Sequence, residues 1–149
     1  MLQHAVRAVK TVALLLLFCS ASAMALPNTP QQNYLLKCSG CHDIDGSGTV
    51  AGGIPPLPGY IGSFLDDPQG RVYVLHVPGV ISAGLDDTEL ADLLNYVNHK
   101  WGDVKARPFT AAEVKMNREH SVADVVKLRR EIVSRFVRDG VKAGTYPWP

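Results

Sequence analysis

The chain has 149 residues, enough for one domain, and a formal net charge of only +1. Its three cysteines exclude a disulfide framework, because Cys19 falls in an N-terminal leader and only Cys38 and Cys41 follow it. The near-neutral total conceals a split: Pro27 to Val104 carries three bases against nine acids, net −6, and Lys105 onward carries ten bases against five acids, net +5.

The leader comes first. Arg7 and Lys10 form a basic start, Val12 to Phe18 an apolar core, and Ala21-Ser22-Ala23 and Ala23-Met24-Ala25 offer two A-x-A cleavage sites. Residues 1–25 therefore read as a secretory signal peptide. The apolar run is shorter than the ~20 residues needed to span a bilayer, and no later stretch is longer. A mature, exported and soluble chain without a transmembrane segment is expected, and export argues against nucleic acid as the partner of the basic half.

Gln31 to Lys37 is predicted as a helix, with Tyr34 and Leu35 on one side. It runs into Cys38-Ser39-Gly40-Cys41-His42. Two thiols three residues apart on a helical turn can each add to one vinyl group of the same porphyrin. The adjoining imidazole then reaches the iron, which makes C-x-x-C-H a haem-attachment sequence. A thioredoxin-like pair would need alternating strands and helices, and zinc would need further ligands. One covalently attached haem c is the expected cofactor.

Asp43-Ile44-Asp45-Gly46-Ser47-Gly48 imitates the start of a calcium loop, but the twelfth position holds Ile54 instead of glutamate, which excludes calcium. Gly52 to Gly59 is a Pro- and Gly-rich loop. Asp67 to Leu75 reads as a short helix with Pro68 at its start, followed by a turn at His76-Val77-Pro78-Gly79. Asp86 caps a clear helix, with Glu89 three residues on, Leu90, Leu93, Leu94, Val97 and Trp101 at helical spacing, and Gly102 as the stop.

Beyond Lys105, Thr110 and Glu113 form a capping box for a helix through Glu119. Ser121 is expected to cap a longer helix ending at Gly140, with an apolar stripe of Val122, Val125, Val126, Ile132, Val133, Phe136 and Val137. Arg129 falls inside that stripe. Its stem is expected to pack while its head reaches water, with pairing to a haem propionate as the alternative. Tyr146 and Trp148 close the chain as a candidate docking tail.

The helix entering C-x-x-C-H, the glycine-rich turn after it, the proline loop and the capped helix from Asp86 together resemble class I cytochromes c. Leu93 to Val97 is similar to the same helix in cytochrome subunits of periplasmic dehydrogenases. The resemblance implies an all-α class I cytochrome c fold over 26–104, in which the first and last helices cross, with a helical extension over 105–149. It implies a periplasmic electron carrier, not an enzyme, whose haem is held by Cys38, Cys41 and His42. The carbonyl of Pro55 or Pro56 would accept the Nδ1–H of His42. A redox partner protein is implied, with a periplasmic dehydrogenase as the candidate.

The family usually supplies a methionine as sixth iron ligand from the loop before the last helix. Here that loop has His76, with Val77-Pro78 where Met-Pro is common. His76 is the expected sixth ligand and Met116, in the extension, the second choice. His99 is expected to be exposed, and His120 structural or exposed. An empty or water-filled site would instead suit a haem-based gas sensor or a peroxidase-like enzyme.

Overall fold

The computed structural model describes residues 26–102 and 106–144. The leader, the boundary at 104/105 and the tail with Tyr146 and Trp148 lie outside the described residues. Within them the chain is all-α, and the sole β pairing is an isolated bridge between Thr49 and Ile54.

Helix α1 (Pro30–Lys37) begins at Thr29, whose side chain forms a reciprocal capping box with Gln32, and Pro30 supplies a pre-set φ at the first position. The single turn α2 (Ser39–His42) follows. After the Gly/Pro loop come α3 (Ile61–Asp66) and α4 (Pro68–His76), which share the Asp67 corner. Asp67 caps α4 through the Gly70 N–H, and Gly70 is glycine for a packing reason. A Cβ there would lie 2.1 Å from the Phe64 carbonyl oxygen, so only glycine lets α4 approach α3.

The expected turn at 76–79 is instead helical on both sides of Val77. Helix α4 runs through His76, and α5 (Pro78–Ile81) restarts with Pro78 in its first turn. Helix α6 (Asp87–Trp101) has the expected Asp86–Glu89 capping box, and Gly102 stands at its C-cap. In the extension, α7 (Ala111–Arg118) starts at Thr110 as expected. Helix α8 (Val125–Arg138) starts later than expected: Asp124 rather than Ser121 is the cap, accepting from the Lys127 N–H at 2.9 Å.

Helices α1 and α6 pack through aromatic rings. Tyr34 is 1% exposed, and its ring centroid is 4.7 Å from that of Trp101 and 6.2 Å from that of Tyr96. Leu35, expected beside Tyr34, points away and is largely exposed, while Asn33 takes the buried place. The remaining core is Phe64, Leu65, Val74 and Leu75 against Leu90, Leu93, Leu94 and Val97. Phe109, Val114, Ile132 and Phe136 from the extension join that same core. Each such side chain contributes about 1.5–3 kcal/mol by leaving water, so the extension is part of the fold's stability.

Polar contacts orient the extension. Asn95 on α6 both donates to the Phe109 carbonyl and accepts from the Phe109 N–H, at 3.0 and 2.7 Å. Arg71 on α4 is 4% exposed and donates to both oxygens of Glu113 on α7, and also to the carbonyls of Leu65 and Arg107. Its guanidinium lies 3.5 Å from the centroid of the Phe109 ring. Arg107, Arg118 and Arg135 pair with Glu113, Asp87 and Asp67. Part of the charge split is therefore satisfied inside the molecule.

Arg129 departs from expectation. It is 4% exposed rather than reaching water, with its guanidinium 4.9 Å from the Phe64 centroid and 5.7 Å from that of Tyr73. Aromatic faces replace part of its hydration.

Candidate haem site

The end of α1 and the turn of α2 set the two thiols. The Cys38 N–H closes α1 on the Tyr34 carbonyl at 2.9 Å. The N–H groups of Cys41 and His42 then both bond the Cys38 carbonyl, at 3.1 and 2.9 Å. Cys38 and Cys41 thus stand one helical turn apart, with His42 next. Both thiols are free. Cys38 is half-buried and Cys41 exposed. Burial first, and the neighbouring Cys41 second, push the Cys38 thiol up to about 11.

His42 is half-buried, and burial lowers its pKa, partly opposed by the Pro55 carbonyl. The ring is therefore biased toward the neutral form that ligates metals. Its Nδ1 is buried and makes no hydrogen bond, while the Pro55 backbone lies close enough to the ring to raise its pKa. Of the two prolines the sequence left open, Pro55 is the one directed at the ring. An imidazole whose Nδ1 is buried is set to present Nε2 to a metal. That orientation, with two free thiols on one turn, fits a covalently held haem.

The loop after His42 is closed by its own backbone. The Gly48 N–H bonds the His42 carbonyl at 3.0 Å, and the Thr49–Ile54 bridge is made by two bonds of 2.9 and 3.0 Å. Gly48 has φ +67°, and a Cβ on it would sit 2.6 Å from the Ile54 oxygen and 2.7 Å from the Pro55 oxygen. Glycine at 48 is therefore what lets the Pro55 carbonyl lie where His42 meets it. The Tyr34 hydroxyl donates to the Asp43 carbonyl at 2.6 Å, tying the loop to α1. Asp43 itself is, among the described residues, the non-glycine residue at positive φ, with φ 58° and ψ 168°.

His76 lies at the end of α4 with both ring nitrogens engaged. Nδ1 is 2.8 Å from the Val72 carbonyl and Nε2 is 2.8 Å from the carbonyl of His120, in the extension. An iron-ligand role would require it to surrender one of these contacts. Met116 is 57% exposed on α7. His99, on α6, is exposed as expected, and so is His120. Among the described residues no cluster of three or more His, Cys, Asp or Glu could hold a metal ion by itself, and no helix is long and apolar enough to cross a membrane.

The Arg71–Glu113 pair and the Tyr34–Asp43 bond escaped the sequence reading. The first joins residues 42 apart, a distance no local pattern spans. The second was visible only as a tyrosine four residues before the first thiol.

No family model matches the chain. It is 33% identical over 123 residues to a cytochrome c-552 of Thermus thermophilus, covering 68% of this chain and 82% of that one. A second Thermus thermophilus cytochrome c-552 is 37% identical over 101 residues, 53% of this chain and 76% of the relative. The cytochrome c subunit of the quinone alcohol dehydrogenase of Gluconacetobacter polyoxogenes is 29% identical over 114 residues, 64% of this chain but 24% of that subunit.

Proposed function

Because the chain belongs to the class I cytochromes c and is an electron-carrying c-type cytochrome, we propose that it shuttles single electrons through one haem attached at Cys38 and Cys41 and ligated by His42. The observation that carries the reading is the placement of His42, with Nδ1 buried, the Pro55 backbone beside the ring and the two free thiols on the same turn. A single C-x-x-C-H in 149 residues supports one haem. When bound, that haem supplies a one-electron iron couple. The protein's own groups fix the porphyrin at two sulfurs, orient the imidazole and surround it with low-polarity packing, which sets the potential. Side-chain catalysis has no part in this, so the chain is not an enzyme.

The leader at 1–25 supports export to the periplasm, where haem is attached and a partner is met. Likeness to a subunit of a quinone alcohol dehydrogenase supports a dehydrogenase as that partner. The extension from 105 onward is an addition packed on the haem domain of 26–104. His76 is the candidate sixth ligand if it releases the His120 carbonyl. The engagement of both its nitrogens favours a second reading, in which the sixth position is open and the haem binds a small gas or peroxide.

The test is covalent attachment in the exported protein. The parent should keep its haem through acid–acetone extraction, and the Cys38→Ala, Cys41→Ala double variant should lose it. Haem retained by the double variant removes the two thiols from the site. Carbon monoxide added to the ferrous parent separates the two ligation readings: an unchanged spectrum fits a bound sixth ligand and a shifted one the open site.

A further inference from the structure

Beside C-x-x-C-H the surface forms an open groove of about 710 Å³ that the attachment chemistry leaves unused. Its apolar surfaces are Trp101 and Ile44, and its rim carries Asp43, Asp45, Ser47 and Lys100. Ile44 is 70% exposed although the loop bearing it is anchored on several sides. The Tyr34 hydroxyl holds the Asp43 carbonyl, Gly46 lies against the Trp101 ring, and the Leu57 N–H bonds the Gly46 carbonyl at 2.8 Å. The isoleucine is thus presented by fixed backbone, so little ordering is needed when something covers it.

The charges around it select the cover. Two carboxylates flank Ile44, and the Asp45 carboxyl is held below its usual range by the Ser47 N–H and hydroxyl, so it stays ionised. The rim cation, Lys100, sits 4.4 Å from the Trp101 ring centroid and 5.6 Å from that of Tyr96. Its charge is directed at aromatic faces, which leaves the outer rim anionic. The surrounding region, Pro27 to Val104, is net −6 although the whole chain is +1. With the leader's Arg7 and Lys10 left out the chain is net −1, and its negative charge is concentrated in the region that carries this groove.

We propose that the groove of Ile44 and Trp101 is the surface on which the electron-exchange partner docks, and that this partner presents an apolar contact ringed by lysine or arginine. The proposal rests on the haem-carrier reading, and the loop that bears Ile44 begins directly after Cys41 and His42, the residues that would hold the porphyrin. The basic face of α8 then stays outside the exchange contact. Opposite charges steer the encounter, and the isoleucine and indole supply the short-range contact.

The probe is tris(1,10-phenanthroline)cobalt(III), a cation with an apolar aromatic surface. Each ferrous haem gives one electron to one cobalt(III), which becomes cobalt(II). With the reduced holoprotein, the second-order rate constant should fall as ionic strength rises. Asp45→Asn and Asp43→Asn should each lower it roughly twofold or more at low salt, with the difference vanishing at high salt. Ile44→Ala should lower it at every salt concentration, and Lys100→Gln should raise it. The anion hexacyanoferrate(III) should show the reverse salt dependence. A cobalt rate that climbs with salt, or one indifferent to Asp45→Asn and Ile44→Ala, overturns the docking surface. Asp45 is exposed, so its variant keeps the test valid if another fails to fold. A parent lacking covalent haem, seen in its spectrum before cobalt is added, would overturn the carrier reading instead.

Discussion

The loop after His42 and the extension after α6 both bear on the same core, yet they are held by opposite means. The loop buries little apolar surface and is fixed by backbone hydrogen bonds, a glycine at 48 and the Tyr34 hydroxyl. The extension contributes Phe109, Val114, Ile132 and Phe136 to the interior and is keyed by a buried ion pair. Apolar burial has no direction, so it can attach a helix without fixing its register. Hydrogen bonds have geometry, so they can fix a loop that puts little besides Leu57 into the core. A redox site needs the second kind of precision beside the iron and the first kind of stability around it.

Breaking the key should have the largest effect. Arg71→Met leaves Glu113 buried with its main partner gone, and removing one member of a buried pair costs about 3–5 kcal/mol. Arg107, whose side chain is 67% exposed, can compensate only in part. Replacing both members, Arg71→Met with Glu113→Leu, should recover much of the loss, because no uncompensated charge remains. Chemical denaturation of the holoprotein measures both. If Arg71→Met unfolds at the parent midpoint, the pair does not key the extension.

Acid should weaken the same contact by a smaller and graded amount. The hydrogen bond from Arg71, aided by Arg107 and opposed by burial, holds the Glu113 carboxyl below its usual range. A carboxylate depressed on folding stabilises the native state above its unfolded pKa of about 4.3, and the contribution is lost as pH falls through the lower native value. Stability should therefore decline below about pH 4, and the decline should be shallower in the Arg71→Met, Glu113→Leu variant. Thermal melting from pH 6 to 3 checks this. Equal slopes in parent and double variant would assign the acid sensitivity to other carboxylates.

The same contrast explains what the sequence disclosed. Capping chemistry is local, so Asp86 with Glu89 and Thr110 marked helix starts correctly. The expected box at Thr110 is half made: Thr110 accepts from the Glu113 N–H, while the Glu113 carboxylate is taken by Arg71 and Arg107. Between Ser121 and Asp124 two caps compete within four residues, and Asp124 is the one that meets the Lys127 N–H. Helix α3 escaped notice because its six residues, among them Gly62 and Ser63, span too few turns to show a periodic stripe. Arg129 falls on the buried face by helical angle, but the aromatic rings that receive it come from α3 and α4, far away in sequence. In the candidate site, spacing alone identified Cys38, Cys41 and His42 as a unit. Choosing Pro55 over Pro56 needed the turn at Gly48, and the contacts of His76 needed the fold of the extension.

The smallest effect separates stability from function in the loop itself. Asp43 occupies φ 58° and ψ 168°, a region glycine enters freely and other residues enter at a penalty of about 1–3 kcal/mol. Glycine at 43 would relieve that strain but would give the unfolded chain more freedom, which offsets about 0.4–1 kcal/mol. Strain relief outweighs that offset, so Asp43→Gly should raise stability by about 1 kcal/mol. The Tyr34 bond survives the change, because it ends on the Asp43 backbone carbonyl. An aspartate kept where glycine is cheaper suggests that the carboxylate itself is used, as it is on the docking rim inferred above. The variant should then melt higher yet react more slowly with the cobalt cation at low salt. If it melts lower than the parent, the side chain supports the loop rather than straining it, and Asp43 belongs to the fold instead of the rim.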